Sequence, residues 1–130
     1  MVIDSVLLDK LTAEAQVSPR LRMNLDLRNS DADLSQRMLN AIEPGSVVPI
    51  HRHRRTSETV VVLRGRVVEE YYSSEGVVEA EFELVAGGSV CALNIPDGQW
   101  HTLRALESGT VILEMKDGPY EPIQECDILK

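Results

Sequence analysis

From residue 66 onward the chain is a succession of short runs whose apolar residues recur at every second position, each closed by glycine, proline or polar turn residues. The clearest spans residues 77–84, with Val78, Ala80, Phe82 and Leu84 on one face and Val77, Glu79, Glu81 and Glu83 on the other. A period of two is the period of a strand, because successive side chains project to opposite faces of a sheet. Ser73-Ser74-Glu75-Gly76 joins this run to residues 66–72 as a hairpin. Gly87-Gly88, Pro96-Asp97-Gly98 and Glu107-Ser108-Gly109 then turn into runs at 89–95, 100–105 and 110–116. Upstream, residues 20–25 alternate so that Leu21, Met23 and Leu25 share a buried face, and residues 36–42 form a further strand. Many short strands at regular turn intervals predict an all-β antiparallel sandwich or barrel. Residues 4–16 depart from this pattern. Leu7, Leu8, Leu11 and Ala15 recur at helical spacing behind a cap at Asp4 or Ser5, and Ser18-Pro19 ends the helix.

At 130 residues the chain is sized for one domain, spanning 1–130, and it carries no internal repeat, low-complexity tract or linker. A net charge of -8 repels phosphate backbones, so no nucleic-acid partner is expected. Much of that charge comes from the acidic residues between Glu69 and Glu83, read as a solvated sheet face. The cations are ten arginines against three lysines, a bias toward planar forks that grip carboxylate or phosphate groups. Cys91, inside an apolar alternation, is read as a small core residue, and Cys126 lies in the tail; neither belongs to a disulfide framework. Residues 1–10 have no basic lead and no long apolar run, so a cytoplasmic location without membrane contact is expected.

The residues that carry chemistry lie between Gly45 and Gly65. His51 and His53 are one residue apart and emerge on the same face of an extended chain, with Arg52 turned the other way. Glu58 follows a short polar loop and opens the apolar run at 60–63. The third and last histidine of the chain, His101, follows the turn at Pro96-Asp97-Gly98. Three imidazoles and a carboxylate that converge on one point make a metal site.

Two spaced patterns support this reading. The stretch 45–65 resembles the first signature of the cupin superfamily, Gly-x5-His-x-His-x4-Glu-x6-Gly, without a gap. Residues 88–105 are similar to the second signature: Gly88, then Pro96-Asp97-Gly98-Gln99-Trp100-His101. Here seven residues rather than five separate Gly88 from Pro96, and Ala105 stands where many cupins carry Asn. The resemblance implies a cupin-type jelly-roll barrel preceded by the short helix and lead-in at 1–18. It also implies a homodimer, as does a small domain with more than one apolar sheet face.

Over nearly its full length the chain further resembles the WbuC family of cupin-fold metalloproteins. The resemblance rests on Ser18-Pro19-Arg20-Leu21-Arg22-Met23-Asn24, Gln36-Arg37-Met38-Leu39-Asn40-Ala41, Pro44-Gly45, His51-Arg52-His53, Leu63-Arg64-Gly65, Pro96-x-Gly98-x-Trp100-His101-Thr102 and Asp117-Gly118-Pro119-Tyr120. Members commonly end in aromatic segments, whereas this tail reads Gln124-Glu125-Cys126-Asp127-Ile128-Leu129-Lys130. The family's association with bacterial surface-polysaccharide (O-antigen) gene clusters implies a sugar or lipopolysaccharide-biosynthesis context.

One divalent transition metal ion per chain, whether Zn, Fe, Mn, Ni or Cu, suits His51, His53, Glu58 and His101, whereas Ca and Mg prefer all-oxygen shells. A six-coordinate ion keeps two positions open for a substrate with adjacent oxygens. Arg22, Asn24, Gln36, Arg37 and Tyr120 are candidates to bind that substrate, with Arg64 and Trp100 as further polar groups near the motifs. Parity puts Gln36 and Asn40 on a face that Arg37 does not share, and turns Trp100 away from His101. Three function classes fit: a metal-dependent enzyme on a small sugar-derived or anionic substrate, a metal-dependent binding or sensing module, and a mononuclear iron dioxygenase.

Overall fold

Alternating burial in the strands produces two layers, and the structure, a computed structural model, describes residues 1–130. After helix α1 (Ser5–Val17) come β1 (Arg22–Asp26), β2 (Ser35–Ile42), β3 (Glu58–Arg64), β4 (Arg66–Tyr72), β5 (Val78–Val85), β6 (Ala92–Ile95), β7 (Trp100–Ala105) and β8 (Thr110–Asp117). All pairings are antiparallel. The larger sheet has the order β1-β2-β8-β3-β6 and the smaller β5-β4-β7. This is the expected all-β architecture with one short helix.

The two sheets face each other across a core of Ile42, Val60, Val62, Ile95 and Ile112 from the larger and Val67, Leu84, Leu103 and Ala105 from the smaller. The larger sheet is also covered on its outer face. There Leu8, Leu11 and Ala15 of α1 pack on Leu39, Ala41 and Val111, with Leu7, Met23 and Leu25 at the margin. Asp4 caps the helix, its Oδ1 accepting from Leu7 N at 3.0 Å. β2 and β8 are therefore sandwiched: odd residues of β2 face the helix and even ones the barrel interior, so that Asn40 and Ile42 point inward. No helix is long and apolar enough to cross a membrane.

The structure corrects several expectations. Leu21 does not extend the first strand: its φ of 54° lies in the left-handed region, and β1 begins one residue later. The run at 89–95 pairs only from Ala92, on the outer edge of the larger sheet, and Cys91 is exposed because nothing covers that edge. The largest correction concerns Glu69. It does not belong to a solvated face; it shares the inward face of β4 with Val67 and Tyr71 and is 0% exposed.

Candidate metal centre

Backbone pairing brings the two histidine segments together. His51 N donates to His101 O at 3.0 Å and His101 N to His51 O at 2.8 Å, a single antiparallel bridge between the extended stretch before β3 and the second residue of β7. The bridge sets the two rings side by side, centroids 4.4 Å apart and planes tilted by 54°; His53 stands at 5.0 Å from His51 and 5.7 Å from His101. One ligand nitrogen from each ring lies within 4.8 Å of the others. Glu58, the first residue of β3, reaches the same point. Its Oε2 is 3.3 Å from His101 Nε2 and 3.5 Å from His53 Nε2.

The free lone pairs are the ones that face inward. His51 Nδ1 lies 2.7 Å from Pro49 O and His101 Nδ1 2.9 Å from Gln99 O. A carbonyl only accepts, so each Nδ1 carries the proton and each Nε2 presents a lone pair to the centre. Such a backbone contact is how ligating imidazoles are oriented. His53 Nε2 and Glu58 Oε2 are buried without a hydrogen-bond partner. Buried polar atoms are normally paired. Two orphans 3.5 Å apart fit one shared cation, since an ion bound about 2.0–2.2 Å from each ligand spaces neighbouring ligand atoms by about 3.0–3.5 Å.

Electrostatics keep His51, His53 and Glu58 in the forms that bind metal. Burial, seconded by His101 for His51 and by Lys116 for His53, lowers both imidazoles to about 4, so they are neutral at physiological pH. Burial works to raise the Glu58 carboxyl. The His101 imidazole, Lys116 and His53 outweigh it and hold Glu58 down to about 2, ionised.

The centre opens into a cavity of about 1040 Å³. Of the candidate substrate-binding residues, Arg22, Asn24, Gln36 and Tyr120 line it and Arg37 does not. Arg37 sits on the opposite face of β2, where it donates to Leu27 O at 3.2 Å and pairs with Asp33. Arg64 is likewise elsewhere, donating to Gly109 O and Thr12 Oγ1 under the helix. Arg22 donates to the neutral Val47 O at 2.8 Å, and burial followed by the nearby Arg20 charge lowers its pKa against the raising influence of Glu114. Gln36 donates to Gly118 O and Pro119 O, at 3.2 and 3.0 Å. Tyr120 is a rim residue, 55% exposed, with the Arg28 guanidinium 5.1 Å from its ring centroid. Trp100 lies outside the cavity lining, under Arg52 at 4.5 Å.

Sequence reasoning missed three contributors. Glu114 lines the cavity as the lone charge of an otherwise apolar run at 111–115, in phase with Ile112 and Lys116; that phase was the available signal. Burial, then Glu58, raises its carboxyl to about 7. Lys116 stands beside Glu58 in the β3–β8 register. The tail is the third: residues 118–124, Asp127 and Ile128 form one wall. Asp127 latches it, its Oδ1 accepting from Arg52 Nε at 3.0 Å and Arg54 Nε at 2.5 Å, while Leu129 N donates to Ile50 O. Asp127→Ala is accordingly expected to release the tail. Limited proteolysis reads this as cleavage within 118–130 about tenfold faster or more, the worth of hydrogen bonds to a charged group; an unchanged cleavage rate contradicts the latch.

Comparison with known proteins agrees with this geometry at the level of fold. KdgF from Halomonas sp. superposes with a TM-score of 0.63 at 17% identity, over 80% of this chain and 85% of that one. An oxalate oxidase gives 0.63 at 16%, over 79% of this chain and 54% of that one. The capsular polysaccharide assembling protein CapF from Staphylococcus aureus gives 0.65 at 21%, over 86% of this chain and 32% of that one. The chain thus spans about half of the oxidase and a third of CapF. These are cupin-fold proteins, and the fold of this chain is the cupin jelly roll. No curated protein matches the sequence. One family does, under the description "Domain of unknown function (DUF6016)", over residues 3–84, a span that holds His51, His53 and Glu58 and stops before His101.

Proposed function

Since this chain belongs to the family described as Domain of unknown function (DUF6016), which prescribes no reaction, we propose its function from the site: a metal-binding cupin that takes one divalent transition metal ion on His51, His53, Glu58 and His101. The observation that carries this is the pair of buried, unpartnered ligand atoms, His53 Nε2 and Glu58 Oε2, beside two imidazoles whose Nδ1 atoms are already committed to backbone carbonyls. Such an ion supplies Lewis-acid polarisation of a bound oxygen or activation of water.

The residues around it favour a small, oxygen-rich anion. Arg22 and Lys116 contribute positive charge to the cavity, and Arg22 lacks a carboxylate partner. The ligand's acidic group pairs with these cations, and its remaining oxygens turn toward the imidazoles. The likeness to the WbuC family and the fold shared with CapF support a surface-polysaccharide context and a sugar-derived ligand. A cytoplasmic homodimer belongs to the same reading, and light scattering at micromolar concentration that returns a monomer mass overturns that part of it.

Elemental analysis of untagged protein purified without chelator tests the metal directly. About one ion per chain is expected for the natural sequence, and at least tenfold less retained by His51→Ala after dialysis. Equal metal in both refutes the assignment. Loss of the Arg22 contact by Arg22→Ala is expected to weaken anion binding by about tenfold to a hundredfold. Arg37→Ala, on the other face of β2, is expected to leave it unchanged; an equal effect of both substitutions refutes this account of the pocket. Turnover of a bound ligand, followed by mass spectrometry, separates an enzyme from a sensing module.

A further inference from the structure

Beyond the imidazoles, the cavity floor is formed by the inner face of β2 and β8. Asn40 there faces Asn24 on one side and Ile112 on the other, and Glu114 faces Val60 and Met38. Both side chains line the cavity while being 7% and 9% exposed. Asn40 Oδ1 has no hydrogen-bond partner. An unpartnered amide oxygen on a residue that lines a cavity is one that a ligand seated in that cavity can match, because buried polar atoms are otherwise almost always paired.

The chemistry of the two groups narrows what that is. An amide oxygen accepts and never donates, and an ionised carboxylate does the same. They fit a donor, such as a hydroxyl. Six cationic side chains line the cavity against four acidic ones, a balance that favours a neutral hydroxyl over an ammonium as that donor.

We propose that Asn40 and Glu114 form a hydroxyl-reading subsite beside the candidate metal centre, so that the ligand is a polyhydroxylated anion whose acidic group lies toward Arg22 and Lys116. This rests on the reading of the cavity as a metal-dependent anion pocket and adds what that reading leaves open, the recognition of hydroxyls away from the metal. Asn24, opposite Asn40 on β1, extends the same polar row toward the mouth.

The test is calorimetric titration of zinc-loaded, full-length protein with gluconate and xylonate, and with hexanoate and pentanoate, which keep the carboxylate and lack the hydroxyls. The polyhydroxylated acids are expected to bind at least about tenfold more tightly. Asn40→Ala is expected to reduce that preference by about tenfold, without changing alkanoate affinity or zinc content. Glu114→Gln, which is isosteric and replaces an acceptor with a donor, is expected to reduce it as well and keeps the test intact if Asn40→Ala does not fold. Equal affinity for both classes, no binding of the polyhydroxylated acids, or a preference that neither substitution moves overturns the subsite. Failure of the metal reading looks different: the preference survives, and apo and zinc-loaded protein bind alike.

Discussion

Replacing Glu69 by leucine is expected to stabilise this protein, by about 1–3 kcal/mol at neutral pH, the range for a buried polar group without a partner. Glu69 stands in the core between Phe82 of β5 and Leu103 of β7, its register partners on either side. Neither of its carboxyl oxygens has a hydrogen bond. Burial, followed by the negative charges of Glu58, Glu114 and Glu70, raises its pKa well above the ordinary 4.5. The folded protein therefore holds a proton that the unfolded chain releases near the ordinary value. Stability linked to this group is fully present below about pH 4.5 and is lost as pH rises above it. Leucine has no such dependence. The advantage of Glu69→Leu is thus expected to be small near pH 4 and to widen toward about pH 8. Urea denaturation of both proteins at the two pH values measures it; a lower midpoint for the leucine variant, or a gap independent of pH, contradicts the burial of an unpaired acid here.

Gly65→Ala is expected to cost roughly 2–5 kcal/mol, from two separate sources. Gly65 sits between β3 and β4 with φ of 82°, in the left-handed region that a side chain disfavours by about 1–2 kcal/mol. A Cβ at this position also meets the Cα of Thr110 at 2.9 Å and the Thr110 side chain closer still. Thr110 cannot retreat, being fully buried at the start of β8 with its hydroxyl donating to Glu107 O at 2.7 Å. Overpacking of this kind adds about 1–3 kcal/mol. Gly87→Ala separates the two sources, because Gly87 has φ of 69° and nothing within 4 Å of a Cβ. Thermal melts are expected to place Gly65→Ala well below Gly87→Ala. Equal melting temperatures indicate that the Thr110 contact yields.

The same physics explains what could be read from the sequence. Period-two alternation is a local property of the backbone, so the face shared by Val78, Ala80, Phe82 and Leu84 was legible, and so was the packing stripe of α1. The pairing of His51 with His53 was legible too, because one intervening residue on an extended chain sets both imidazoles on one face, whereas His101, fifty positions on, was placed only through the resemblance to the second cupin signature. Alternation divides a strand into two faces without saying which faces inward, or whether the outer one is covered. That needs the partner layers. Glu69 is buried because β5 and β7 flank β4 and the larger sheet closes over it; in the sequence it is one glutamate among several. Arg37 is excluded from the cavity because α1 covers the outer side of the sheet and odd residues of β2 turn that way, whereas Gln36 and Asn40 fall inside. The contribution of the tail is equally nonlocal: Asp127 matters only because the fold carries it to Arg52 and Arg54, more than seventy positions away along the chain. Local chemistry and period are written in the order of residues, whereas desolvation depends on which layers stack, and stacking is decided only by the tertiary structure.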